Sequence, residues 1–368
     1  MNAKSLTQVV RTGNIASIIP ILGEHPHLAK EWAPIMDAVF YGQTEVVKLF
    51  LNKGANPNTL AANEGLHRPL HRAIESSEKV PRSGKHVQIV KILIEAGAKV
   101  DALATPAMVN PVVLAAMHNE HRFLELLIEN MPEPDLYTSV ALGDQERVYN
   151  VVDDDSEMAS KKDRKGREPI LYCCLTQLHQ SDEDTGKAIK NVAQSLLDEG
   201  ASPDAQGSFS ASKIPLPALF YAVGHAKNLD VADLLLQSGA NPNAGGTLLH
   251  ASNHFHFQNL AEGTEYLISH GQNPDYQDEK TQDTALHIAA RHGNTKAMQT
   301  LLNHGANFNL TNADGKTPLE IGQEANQKWV VDMILRHKKK MDQPDFSHLR
   351  QSKSDDETAE KSDSESSS

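Results

Sequence analysis

Three groupings of side chains in this sequence invite a reactive reading. Cys173 and Cys174 are adjacent and His179 lies nearby, the raw material of a thiolate nucleophile with an imidazole base. His254-Phe255-His256-Phe257 offers two imidazoles of the kind that ligate metals. Asp182-Glu183-Asp184 gathers carboxylates that could serve acid–base chemistry. None of the three finds its complement. Histidines two apart do not share a helical face, and a metal needs three or four converging ligands, with no second cluster in view. The acidic triplet reads as solvated loop charge. No Gly-x-x-x-x-Gly-Lys phosphate loop and no Gly-x-Ser-x-Gly elbow occurs. No catalytic residue, metal or cofactor is expected.

The elements that would carry these residues announce themselves by repetition. Gly54-Ala55-Asn56-Pro57-Asn58 returns as Gly97-Ala98-Lys99-Val100-Asp101, Gly200-Ala201-Ser202-Pro203-Asp204 and Gly239-Ala240-Asn241-Pro242-Asn243. It returns again as Gly271-Gln272-Asn273-Pro274-Asp275 and Gly305-Ala306-Asn307-Phe308-Asn309. The last three glycines are 32 and 34 residues apart, whereas Gly54 and Gly97 are 43 apart, so the early units carry insertions. Each unit opens with a proline where a first helical turn tolerates one: Pro69, Pro111, Pro169 and Pro318. A small pair follows, as in Ala115-Ala116 and Ala289-Ala290, and Gly13, Gly42 and Gly293 end the helix. A second helix then shows apolar residues at helical spacing, for example Val231, Leu234, Leu235 and Leu236.

The stretch Asp283-Thr284-Ala285-Leu286-His287-Ile288-Ala289-Ala290-Arg291-His292-Gly293-Asn294, with Leu301 to Asn309 after it, resembles one ankyrin repeat almost from end to end. The resemblance implies an all-α ankyrin-repeat solenoid of about ten helix-turn-helix units. Their first helices are expected near Leu6, Ile35, Leu70, Val113, Tyr137, Leu171, Leu219, Leu249, Leu286 and Leu319, with Trp329, Val330, Met333, Ile334 and Leu335 in a C-terminal cap. A single unit cannot bury its apolar face, so neighbours must stack. In this register Cys173-Cys174 falls on the small pair, which makes both thiols packing groups. His71, His250 and His287 share one position, where the resemblance implies hydrogen bonds that tie neighbouring units together.

Composition narrows the partner. A net charge of −13 opposes binding to nucleic-acid phosphates and to anionic membranes. Two adjacent cysteines are too few for a disulfide framework and suit a reducing compartment. No run of about 18 apolar residues is present, so no membrane insertion is expected, and Met1-Asn2-Ala3-Lys4 shows no apolar signal core. A cytoplasmic monomer that binds a protein partner is the expectation.

Three insertions interrupt the array: Ser76 to His86, Asp153 to Arg167 and Ser181 to Lys187. The highly charged 153–167 segment divides the chain into an N-terminal array, 1–152, and a C-terminal array with its cap, 168–340. It reads as a solvated insertion or linker, the alternative being a basic targeting signal. Residues 341–368 are an acidic, Ser-rich tail expected to be disordered. The tail resembles the acidic, Ser-rich C-terminal translocation signals of type IV secreted effectors from intracellular bacteria, many of which carry ankyrin arrays. The principal functional reading is a scaffold or adaptor for protein–protein interaction. One alternative is an effector delivered into a host cell to bind a host protein. Another is a cryptic enzyme with its site near the 153–187 insertions.

Ankyrin arrays bind through turn tips and the concave face of the first helices, so the resemblance points to the residues after each small pair. These are Phe40, Tyr41, Glu75, Met117, His118, His225, His254, Phe255, Arg291 and His292. Phe40, Tyr41 and Phe255 are the sharpest candidates, because exposed aromatics make good anchors. Their alternative role is to fill the gap to the next unit. The tips at Gln277-Asp278-Glu279 and Asn312-Ala313-Asp314-Gly315 are polar or acidic and suit a basic partner surface.

Overall fold

The structure is a computed structural model that describes residues 3–61, 67–75, 84–210, 214–246 and 260–341. The chain forms two compact units, Met1–Thr247 and Leu248–Ser368. In the first, α1 (Ala3–Val10) and α2 (Ile15–Glu24) begin a series of helix pairs: α3 (Trp32–Phe40) with α4 (Thr44–Asn52), α5 (Pro69–Ile74) with α6 (Gly84–Glu95), and α7 (Pro111–Met117) with α8 (His121–Glu129). The series continues with α9 (Leu136–Leu142) and α10 (Gln145–Asp154), α11 (Ile170–Leu175) and α12 (Glu183–Asp198), and α13 (Ala218–Phe220) with α14 (Leu229–Gln237). The second unit holds α15 (Leu260–Ser269), α16 (Ala285–His292), α17 (Thr295–Asn303), α18 (Pro318–Glu324) and α19 (Lys328–Met341). Nine of the ten anchors expected for first helices lie in helices. Leu249 falls outside the described residues. The pairs at 3–24 and 136–154, which lack the closing phrase, are as helical as the rest.

Local chemistry starts and stops these helices. Asn110, Asp135, Asp144, Asp182 and Asn228 each accept a backbone N–H of their own first turn. Gly13, Gly42, Gly143 and Gly293 take φ between 68° and 73°. At Gly13 and Gly293 the left-handed backbone calls for glycine, and a Cβ would also displace the Gln43 or Gln327 amide, whose Oε1 would stand 2.3 Å away. Gln43 Nε2 uses that room to donate to the Arg11 carbonyl.

Stacking then supplies the core. In the first unit, α1 packs on α3, α3 on α5, α5 on α7, α7 on α9 and α9 on α11, while α4 packs on α6, α10 on α12 and α12 on α14. In the second unit α16 packs on α18 and α17 on α19. The buried residues are those of the helical stripes, such as Val46, Val47 and Phe50, or Phe123 and Leu127. In α19, Val330 and Ile334 are buried, but Trp329 is 76% exposed and Leu335 45%, so this cap turns an apolar edge outward.

Two readings from the sequence need adjustment. The sixth unit is not split at Ser181–Lys187. Asp182 caps a 16-residue helix there, and the acidic triplet forms its solvated N-terminus, favoured by the helix dipole. The seventh unit departs from the other helix ends. Residues Tyr221–Ala226 form a π-helical segment, and Lys227 takes the left-handed conformation at φ 58°. The 153–167 segment lies within the first compact unit and is not wholly solvated. Lys161, Lys162, Arg164 and Lys165 are exposed, but Arg167, at the end of the basic run, is 1% exposed. The tail from 342 lies outside the described residues.

Arg167 anchors the connections between units. Its guanidinium pairs with Asp163 Oδ2 at 2.6 Å, donates to the Ala107 carbonyl at 2.6 Å and to the Met108 carbonyl at 3.2 Å, and lies 4.2 Å from the Phe209 ring. Tyr172 donates its hydroxyl to the same Asp163 oxygen at 2.7 Å. An aromatic row from Tyr137 through Tyr172 and Phe209 to Tyr221 runs alongside, with ring centroids 5.2–5.3 Å apart. β1 (Gln206–Gly207) pairs antiparallel with β2 (Leu216–Pro217) at the end of this row. At Gly207 a Cβ would lie 2.7 Å from Leu171 Cδ1 and 2.8 Å from Arg167 Cγ, both on buried side chains. Gly207→Ala should therefore cost about 1–3 kcal/mol of stability through overpacking. A lowered urea midpoint would show it, and an unchanged midpoint would mean the contact yields freely.

Candidate partner-binding face

The first three units build the most developed surface. Phe40 and Tyr41 end α3, both half-buried, with their rings edge to face at 5.0 Å. The Arg72 guanidinium stands 4.3 Å from the Phe40 ring, and that of Arg11 5.6 Å from the Tyr41 ring. A row therefore crosses three consecutive units in the order Arg11, Tyr41, Phe40, Arg72. One end and the middle of the row are held by hydrogen bonds. Arg11 Nε donates to Asp37 Oδ2 at 2.6 Å, and Asp37 is buried. His86, at the start of the next unit's second helix, donates Nε2–H to the Phe40 carbonyl at 3.2 Å. Beside this row Glu75 pairs with His67. Burial pushes the Glu75 carboxyl up, but the His67 hydrogen bond and the charges of His67, Arg72 and His118 outweigh it and hold the group below its ordinary value.

The remaining candidates divide. Met117 is 7% exposed and belongs to the core, because the last turn of α7 faces inward; the expected contact with a partner does not survive. His118 and His225 are half-buried, and the His225 carbonyl accepts from Gln177 Nε2. In the second unit Arg291 bonds Asp283 at 2.8 Å while its side chain stays 38% exposed. His292 is half-buried, and burial followed by the Arg291 charge holds its imidazole below the usual value. His254 and Phe255 lie outside the described residues. Sequence reasoning missed Arg11, although it occupies the same place before Gly13 that Phe40 holds before Gly42. It also missed Arg72, Gln43 and His86, whose roles depend on contacts between units.

The reactive groupings are placed as well. Cys173 and Cys174 are free and fully buried, and burial drives both thiols well above their normal range, which suppresses the thiolate. Among the described residues no three His, Cys, Asp or Glu side chains gather to hold a metal ion. No described helix is long and apolar enough to cross a membrane. His71 and His287 behave as interunit ties. His71 Nε2 donates to the Val109 carbonyl at 3.0 Å and His287 Nε2 to the Lys316 carbonyl at 2.9 Å. The Thr284 N–H donates to His287 Nδ1 at 3.0 Å, which assigns the proton of the neutral ring to Nε2.

This geometry of paired helices, left-handed glycines and histidine ties has a counterpart among known families. The model for three consecutive ankyrin repeats matches residues 6–104 and 248–345, and the single-repeat model matches 216–247. The chain belongs to the ankyrin-repeat family. The ankyrin helix pairs at 111–129, 136–154 and 170–198 lie outside the matched residues, so the structure carries the repeat through a stretch where sequence likeness has faded. Similar proteins include the ARF GTPase-activating protein Git of Drosophila melanogaster, 33% identical over 87 residues, covering 24% of this chain and 12% of the relative. Human SH3 and multiple ankyrin repeat domains protein 2 is 28% identical over 170 residues, covering 45% of this chain and 8% of its own length. Human diacylglycerol kinase iota is 33% identical over 101 residues, 25% of this chain and 10% of the relative. The chain thus spans about a tenth of each relative's length.

Proposed function

We propose that this ankyrin array is a protein-recognition scaffold without chemistry of its own, acting as a monomer in a reducing, cytoplasmic setting and needing no cofactor. The observation that carries the reading is the row Arg11, Tyr41, Phe40, Arg72. It sets half-exposed aromatic faces between two cations on three packed units. Aromatic and arginine side chains dominate interface energetics. Their positions are already set by packing and by the Asp37 and His86 bonds, so binding costs little ordering entropy. The net charge of −13 favours a protein over a phosphate backbone as partner. The burial of both thiols removes the nucleophile that an enzyme reading would use.

The test is an affinity capture from lysate read by mass spectrometry, comparing the intact chain with a variant carrying Phe40→Ala, Tyr41→Ala, His254→Ala and Phe255→Ala. Circular dichroism checks that the variant is folded. A partner captured by the intact chain should drop at least tenfold with the folded variant. Full retention would reject this face as the working surface.

A further inference from the structure

The connection between α8 and α9 is anomalous. It runs only from 130 to 135, whereas its neighbours run from 96 to 110 and from 155 to 169. Each longer neighbour makes a tight projecting turn. In one, Ala104 and Val109 form an antiparallel bridge. In the other, the Asp163 N–H donates to the Arg167 carbonyl at 2.9 Å. Between them the short loop contributes no such turn. Arg167 reaches across this gap to the Ala107 and Met108 carbonyls and so holds the two turns at a set separation. What remains above the short loop is an open cleft of about 780 Å³.

Its walls have a definite chemistry. Leu103, Met108, Met131 and Tyr137 are half-buried lining residues and give an apolar floor. Lys162, Arg164 and Lys165 line it from one turn, all exposed. Three of the four lining acids are already engaged. Asp163 holds Arg167 and Tyr172, Asp135 accepts from Thr138 N and Oγ1, and Glu133 pairs with Arg147. Asp101 remains. Arg164 and Lys165 have no ion-pair partner among the described residues. In a chain of net charge −13, two unpaired cations beside an apolar floor give this cleft a local charge opposite to that of the whole chain.

We propose that the cleft is a second recognition site, separate from the Phe40–Tyr41 face, which takes an extended acidic segment of a partner protein in place of the absent turn. An apolar side chain of the segment lies against Met108, Met131 and Tyr137, and a carboxylate near it meets Arg164 and Lys165. The bound segment runs between two turns whose spacing is preset by Arg167, so the site is ordered before binding. Charge selects the segment, and the apolar floor selects among acidic segments.

The experiment uses the full chain and a displayed library of random decapeptides, followed by fluorescence anisotropy on the resynthesised winners. The expected winners place Asp or Glu within three positions of Leu, Met, Phe or Tyr. Their affinity at physiological salt should fall at least tenfold with Arg164→Ala plus Lys165→Ala, two exposed positions where folding is not at stake. The same peptides should bind the Phe40→Ala plus Tyr41→Ala variant normally, which separates this site from the proposed concave face. A library that enriches nothing overturns the proposal. So does a winner indifferent to Arg164 and Lys165, or one lost equally with the Phe40 and Tyr41 variant. Decaglutamate binding as tightly as the winners would reduce the site to bulk charge. Anionic phosphatidylserine vesicles or single-stranded DNA outcompeting the peptides would assign it to another class of partner. Either result also overturns the proposal.

Discussion

Replacing Arg167 with methionine is expected to destabilise the first unit by about 3 kcal/mol, a large effect for a position in an insertion. Methionine keeps much of the volume but removes every polar contact of the side chain. Asp163, whose side chain is only 10% exposed, then loses its counter-charge, and the Ala107 and Met108 carbonyls lose a donor. Removing one member of a buried pair costs more than the pair itself contributes, because the other is left desolvated and alone. Burial pushes the Asp163 carboxyl up, but Arg167 and the Tyr172 hydroxyl prevail and hold it below its usual value. Lysine should rescue little: one ammonium cannot meet Asp163, two carbonyls and the Phe209 face together. Urea unfolding followed by circular dichroism measures the loss. Hydrogen exchange at 104–109 and 163–167 shows whether opening starts at the paired turns. A methionine variant within about 0.5 kcal/mol of the parent would mean the network contributes little to stability.

That prediction lies where the sequence was least legible. Helices were legible because their signals are local: Pro111, the alanine pairs and Gly293 each act within one turn of the chain. The units at 3–24 and 136–154 could be found without the closing phrase because the helix-ending glycines Gly13 and Gly143, together with apolar spacing, mark their helices. Arg167 was not legible. It ends a run of Lys and Arg that reads as solvated charge, and nothing in the run says which member turns inward. Burial is decided by Ala107 and Met108, sixty residues away, and by Phe209 in a later connection. The candidate face was half legible for the same reason. Register located Phe40 and Tyr41, but the cations beside them come from neighbouring units. Met117 shares their template position and is buried all the same, because exposure there depends on how the next unit packs.

Acidification should weaken the chain through His71 before most carboxylates protonate. Burial drives the His71 imidazole down to about 4 from an unfolded value of 6.5, against the opposing pull of its bond to Val109. The ring is 0% exposed, and its Nδ1 finds no hydrogen-bond partner among the described residues. At His287 the Nδ1 accepts from the Thr284 N–H and meets its hydroxyl at 2.8 Å, whereas His71 has Arg68, which carries no hydroxyl, in that place. Between pH 6.5 and 4 the unfolded chain binds a proton at this site and the folded chain does not, so unfolding takes up a proton. Stability from the neutral ring is therefore complete above pH 6.5, falls as pH drops through that window and levels off below 4. The loss is on the order of 3 kcal/mol over the window. His287, which burial also depresses, adds in the same direction. His71→Gln keeps an N–H near the Val109 carbonyl but cannot take up a proton. Urea midpoints for the parent and the glutamine variant at pH 7.5, 6, 5 and 4.5 isolate the effect. The variant should start lower at pH 7.5 and lose less on acidification, so the two curves converge near pH 4.5. Parallel curves would mean that the His71 site opens to solvent without unfolding the array, and the ring could not then act as a tie between units.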